Sequence, residues 1–294
     1  MHYTGTIWRP PYESNSLLLQ VSAGCTHHAC KFCTLYEDIL FKFKMSPEFE
    51  IESDLKEAAT YYTHIKRVFL TGANPFVLSF SKLKHISELI KHYFPSVESI
   101  GCFARITDII SKTDEQLLAL HKSGYNLITI GVECGDDDAL LFMNKGYVSK
   151  TIVDQCYRLD LSKINYNFFY LTGIYGRNKW QNGVNNTASI FNKTNPRIII
   201  SSMLTISKTS LLYQDVINKN FIEESEIDKF KELRLLIENL KISVYFATMG
   251  ASNYVFFDGF LQREKTRLLA KLDSIINNIH EEDVRKYRET LRHL

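Results

Sequence analysis

The chain has 294 residues, 45% hydrophobic and 23% charged, the composition of an ordinary folded protein with ample core for one large domain or two small ones. Its formal net charge of only +2 lacks the basic excess of a general nucleic-acid or anionic-membrane binder. No apolar run approaches the roughly 18 residues of a membrane-spanning helix.

The stretch 1–14 has no apolar segment of the secretory kind, and we expect a cytoplasmic protein. In that reducing compartment, clustered cysteines read as metal ligands before they read as disulfides. A short apolar strand over 17–21 runs into a loop over 24–36 that carries Cys25, Cys30 and Cys33, spaced C-x4-C-x2-C. Three close thiols with no fourth suit a [4Fe–4S] cluster that keeps one iron open for a substrate or cofactor. Soft thiolates also select zinc or cuprous copper, so the spacing alone leaves the metal open. With His27 or His28 as a fourth ligand the loop becomes a Cys3His zinc site, although structural zinc sites more often pair two knuckles. Cys102, Cys134 and Cys156 stand apart and read as small core residues.

An amphipathic charged segment over 50–63 follows, then a buried strand over 67–70 closed by Thr71-Gly72-Ala73-Asn74-Pro75. Leu83, Ile86, Leu89, Ile90 and Tyr93 recur at helical spacing, with Pro95 as the stop. A strand over 99–103 precedes a capping box, Thr113 with Gln116, and Gly124 lies past the end of that helix. The run 127–132 is a strand leading into Glu133-Cys134-Gly135. Two helical pieces follow, the second with Ser149 as N-cap. A strand over 167–171 ends in Gly173-Ile174-Tyr175-Gly176, a helix occupies 180–193, and 197–202 is a sixth strand.

Strands separated by helices imply βαβ units and a parallel sheet, and continuous apolar runs fit a sheet covered on both faces. The fold class is therefore α/β, a partial (β/α)6 barrel with a C-terminal α/β appendage. The core covers 1–205, with a lead-in over 1–15, and the appendage covers 206–294 and packs on the barrel. Within the appendage we expect a helix over 226–239, an added strand over 242–246 and an aromatic loop over 250–259. A closing helix carries Leu268, Leu269, Leu272, Ile275, Ile276 and Ile279 on one face.

Four segments are shared with a known family. The second half of the cysteine loop, Cys30-Lys31-Phe32-Cys33, has an aromatic before the last cysteine. Arg9-Pro10-Pro11 leads into the first strand, Gly24-Cys25-Thr26-His27 opens the loop, and Gly131-Val132-Glu133-Cys134-Gly135-Asp136-Asp137 closes the fourth strand. With these, the chain resembles the radical SAM superfamily, and most nearly the stand-alone Fe–S oxidoreductases described as similar to oxygen-independent coproporphyrinogen oxidases. It departs from the usual C-x3-C-x-Φ-C signature by one extra residue in the first gap.

The resemblance implies that Cys25, Cys30 and Cys33 hold a [4Fe–4S] cluster and that S-adenosylmethionine (SAM) chelates the open iron. Reductive cleavage of SAM then gives a 5′-deoxyadenosyl radical that abstracts a substrate hydrogen. It implies Phe32 beside the adenine and Glu133 on the ribose hydroxyls. Gly72, Ala73 and Asn74 stand where a Gly-Gly-Glu usually meets the methionyl amino group, so the carboxylate is missing. Arg105 is assigned to the SAM carboxylate, and Gly173 and Ile174 to the adenine. No catalytic side chain is assigned. A small-molecule substrate and a flavodoxin- or ferredoxin-type electron donor are implied, with no membrane or nucleic-acid partner. A cluster- or haem-binding relative without catalysis and a zinc-stabilised binding protein are the competing readings. Ser207-Lys208-Thr209 replaces the relatives' Pro-Gly-Thr, and Gly250 replaces a polar residue, so we expect a reshaped substrate region.

Overall fold

Each of the six apolar runs is a strand in the computed structural model, which describes residues 1–291. The chain divides into two compact units. The first comprises Met1–His28, Leu35–Gly131 and Tyr157–Tyr166; the second comprises Ala29–Thr34, Val132–Cys156 and everything from Asn167 on.

The first unit opens with β1 (Leu17–Gln20), β2 (Ser22–Gly24) and β3 (Phe43–Met45). It continues through α1 (Glu48–Tyr61), β4 (Arg67–Thr71), α2 (Phe80–Tyr93), β5 (Ser99–Ala104), α3 (Ile106–Ile110), α4 (Asp114–Ser123) and most of β6 (Tyr125–Glu133). β1 pairs in parallel with β4 from Leu17↔Val68 to Gln20↔Thr71, β4 with β5, and β5 with β6 across a bulge at Ile100/Gly101. Leu19, Val68, Phe69, Leu70, Ile100, Cys102, Ile128 and Ile130 are fully buried, as strands covered on both faces require. Burial pushes the Cys102 thiol well up, so it stays protonated and inert. The capping box at Thr113 and Gln116 forms, and Gly124 ends α4 at φ +113°, where only glycine escapes the Cβ penalty. The small antiparallel pair β2–β3, register Ser22↔Met45 to Gly24↔Phe43, carries no sequence periodicity because its strands have three residues each.

The second unit takes the last two residues of β6, then α5 (Asp137–Phe142), most of α6 (Ser149–Leu161) and most of β7 (Asn165–Thr172). After these come α7 (Trp180–Phe191), β8 (Ile198–Met203), α8 (Leu211–Ile217), α9 (Glu226–Asn239), β9 (Tyr245–Ala247), β10 (Asp258–Phe260), α10 (Leu261–Asn278) and α11 (Glu281–Glu289). β7 pairs in parallel with β8, Phe168↔Ile199 to Thr172↔Met203, and β8 with β9 from Ile198↔Tyr245. β9 and β10 are antiparallel. Within the first unit the strand order is β1-β4-β5-β6, and within the second β7-β8-β9-β10.

The added strand lies slightly later than expected, at Tyr245–Ala247. The aromatic loop ends in a strand of its own, because Asp258–Phe260 returns alongside β9. Three residues are too few for alternation to mark it in the sequence. Helix α10 buries Leu268 and Leu272 completely, whereas Ile279 falls just beyond its end.

Candidate functional site

The cysteine loop leaves β2 at Gly24, whose φ of +75° and close approach to Lys42 require glycine: a Cβ there would stand 2.3 Å from the Lys42 carbonyl oxygen. The Cys25 amide donates to that same carbonyl at 2.9 Å. Thr26 is tied to Asn74 by two hydrogen bonds: its amide donates to Asn74 Oδ1 (3.3 Å), and Asn74 Nδ2 donates to its Oγ1 (2.8 Å). Asn74 is fully buried, and Nδ2 also donates to both carboxylate oxygens of Asp108 at 3.1 Å. Asp108 accepts the Arg105 amide at 2.7 Å, which fixes the start of α3. Burial raises the Asp108 carboxyl to about 6, against the lowering pull of these donors. Lys112, whose ammonium caps the carbonyls of Phe76 and Asp108, is lowered by burial to about 8.

Of the sequence-assigned residues in this unit, the Asn74 side chain and the Arg105 amide meet at Asp108, and Gly72 and Ala73 immediately precede Asn74 in the chain. Gly72, at φ +133°, lies so close to Ser22 that a Cβ would stand 2.3 Å from Ser22 Oγ. The Arg105 guanidinium reaches Thr107 Oγ1 at 3.1 Å.

In the second unit the rest of the loop is clamped from three directions. The Lys31 amide donates to the Met143 carbonyl (3.1 Å), and the Leu212 amide donates to the Lys31 carbonyl (2.8 Å). Asn144 Nδ2 donates to the Ala29 carbonyl (3.0 Å). Lys31 pairs with Asp215 at 2.8 Å and lies 4.1 Å from the Phe142 ring centroid. A turn closes between Cys30 and Cys33, whose amide donates to the Cys30 carbonyl at 3.2 Å.

Phe32 is half-buried, with the ammonium of Lys145 at 5.7 Å from its ring centroid. That ammonium, itself buried, pairs with Glu133 at 3.3 Å and lies 5.8 Å from the Tyr147 ring. Glu133, the last residue of β6, has φ +66°, a left-handed conformation that costs a non-glycine residue about 1–2 kcal/mol. Its carboxylate is thus aimed by backbone strain and a buried cation together. Gly173, at φ +91°, donates its amide to Glu232 at 2.9 Å, and Ile174 beside it is buried. Lys145, Asp108 and Glu232 were missed in the sequence because each is a lone charged residue with no periodicity or motif around it.

Cys25 and Cys30 are half-buried and Cys33 exposed, in contrast to the three buried cysteines elsewhere, and no disulfide joins any of the six. Among the described residues, no three Cys, His, Asp or Glu side chains surround a point that fits a single metal ion. A four-iron cluster takes one thiolate at each of three irons, so its ligands do not converge on one point. The accessible, soft donor set on one loop fits such a cluster. Among the described residues no helix is long and apolar enough to cross a membrane.

The family model of the Radical SAM superfamily matches residues 19–182, more than half of the chain, and the protein belongs to that superfamily. Its fold is shared with solved structures at low identity. Coproporphyrinogen III oxidase from Escherichia coli is 15% identical with a TM-score of 0.58, the match covering 76% of this chain and 51% of that one. Methylornithine synthase is 14% identical at a TM-score of 0.54, covering 94% and 87%. The radical SAM methyltransferase TsrM from Kitasatospora setae is 13% identical at a TM-score of 0.55, covering 69% and 39%. The chain thus spans about half or less of the oxidase and the methyltransferase. No curated protein matches the sequence. The coproporphyrinogen III oxidase is itself described as a radical SAM enzyme, and the TsrM structure holds a [4Fe–4S] cluster.

Proposed function

We propose that Cys25, Cys30 and Cys33 hold the [4Fe–4S] cluster and that residues at the polar ends of β4, β5, β6 and β7 bind SAM. The three cysteines on one loop, inside the stretch that matches the superfamily, carry this reading. When bound, cluster and SAM supply a 5′-deoxyadenosyl radical that removes a hydrogen atom from substrate. The protein's own residues bind, orient and shield. Phe32 offers a ring face to the adenine. Glu133, fixed by Lys145, accepts the two ribose hydroxyls, for which a carboxylate has the right lone pairs. The backbone at Gly173 and Ile174 lies against the adenine, with the Gly173 turn at φ +91° open only to glycine without strain. Arg105 is the cation for the SAM carboxylate. Gly72 and Ala73 offer backbone carbonyls to the amino group, while the Asn74 amide is already committed to Thr26 and Asp108 and acts by holding the loop.

The core is taken as 1–205 and the appendage as 206–294, with a small-molecule substrate, a flavodoxin- or ferredoxin-type donor and a cytoplasmic location. Buried walls protect a primary alkyl radical from water and stray C–H bonds. The test is anaerobic reconstitution with iron and sulfide, then SAM and dithionite, with 5′-deoxyadenosine as the readout. Product supports the reading. Zinc in place of iron, with no product, overturns it.

A further inference from the structure

Behind Gly173 lies a group of buried charges that the proposed reaction leaves unused. Lys229, fully buried, pairs with Glu223 at 2.7 Å and with Glu226 at 3.5 Å. Arg288, from α11, reaches the same two carboxylates, at 2.6 Å for Glu223 and 3.1 Å for Glu226, and also the carbonyl of Leu204. Two buried cations are thus matched by two carboxylates. Asp228, farther along α9, pairs instead with Lys231, while Arg285 pairs with Glu281 at 3.0 Å and reaches Glu226 only at 4.0 Å.

Two further carboxyls, Glu224 and Glu232, are also fully buried; among the described residues neither forms a direct ion pair, and Lys229 acts on both only from a distance. Glu232 accepts from Tyr170 Oη at 2.5 Å through one oxygen and from the Gly173 amide at 2.9 Å through the other. Tyr170 Oη also lies 3.4 Å from Tyr175 Oη, which in turn bonds Thr187 at 2.7 Å. Neither oxygen of Glu224 meets an N–H or O–H donor among the described residues. The charged group acting on it most strongly is Glu232, ahead of Lys229 and Asp228. Two anions side by side in a dry interior repel strongly, whereas one proton between them turns the contact into a hydrogen bond.

We propose that Glu224 and Glu232 hold one proton between them at neutral pH, and that this pair is the positioning device that fixes the Gly173 turn for SAM. The second half rests on the assignment of Gly173 to SAM made above. Glu224, the protonated partner, donates to Glu232; Glu232, kept as the acceptor, holds the Gly173 amide and with it the left-handed turn. Burial raises both groups; Glu232 raises Glu224 further, whereas the hydrogen bonds that Glu232 accepts from Tyr170, Glu224 and Gly173 pull it back down, so the proton sits on Glu224, and alkali strips it and sets two anions against each other.

Infrared spectroscopy of the apoprotein at neutral pH should show a protonated-carboxyl band that disappears in Glu224→Gln. Glu232→Ala should speed exchange of the Gly173 amide, while Glu232→Gln, which keeps an acceptor and is the safer variant for folding, should retain its protection. In reconstituted protein without reductant, calorimetric SAM affinity should fall about tenfold as the pH is raised above neutrality, and Glu224→Gln should remove that dependence. Absence of the band, or unchanged Gly173 exchange in Glu232→Ala, overturns the shared proton and its grip on the turn, and leaves the SAM site as read. Faster exchange with unchanged SAM affinity removes Gly173 from the SAM site and the positioning role with it.

Discussion

Replacing Asn74 by alanine tests the junction that holds the cysteine loop. The wild-type amide is fully buried and donates to the Asp108 carboxylate and to Thr26. A hydrogen bond to a charged group contributes about 1.5–3 kcal/mol, and each neutral one about 0.5–1.5. The Thr26 end is partly open to water, which replaces some of the loss. We therefore expect Asn74→Ala to cost ~3 kcal/mol at pH 7, read from urea denaturation of the reduced apoprotein. The cost should depend on pH in a definite direction. Asp108 is raised from 3.8 to about 6 in the fold, so the native state binds the extra proton between those values. Its contribution to stability is full below 3.8 and is lost as the pH rises through about 6. That difference of roughly two units is worth ~3 kcal/mol in the wild type. The Asn74 bond favours the charged form, so without it the carboxyl rises further and the decline extends to higher pH. The penalty of Asn74→Ala should accordingly shrink towards pH 4, where Asp108 is largely protonated in both proteins. A penalty below ~1 kcal/mol, or one equal at both pH values, would refute the argument.

Glu133→Gly exchanges a strained left-handed residue for one that adopts it without cost; stability should stay within ~1 kcal/mol while SAM affinity falls about tenfold, measured by thermal unfolding and calorimetry. Cys30→Ala should lose the iron-dependent absorbance and 5′-deoxyadenosine formation yet keep its circular dichroism, whereas Cys102→Ala should keep its iron and lose only stability, by ~1–2 kcal/mol. Gly72→Ala forces a Cβ against Ser22 at an unfavourable φ and should destabilise by more than ~2 kcal/mol, seen as a lower denaturation midpoint.

Much of the fold was legible because its signals are local. Six apolar runs, a capping box and the glycine after α4 each lie within a few residues, and each formed as read. The parts left unread were short: β3, β10 and α8 are too brief for a period to declare itself. The candidate site divides in the same way. The cysteine spacing, Phe32 and the Glu133 segment are contiguous patterns. The roles of Asn74 and Asp108, 34 positions apart, depend on a contact that no local pattern encodes.

The sequence by itself determined the family, the strand–helix alternation and the three thiols, because chemistry that needs adjacent residues writes them adjacently. Tertiary structure decided which charges are buried and what each one meets. It tied the Asn74 amide to Thr26 and Asp108, gave Glu133 a cation in Lys145, and set Glu224 against Glu232. A charge's state follows from desolvation and from its neighbours in space, and both exist only once the chain has folded.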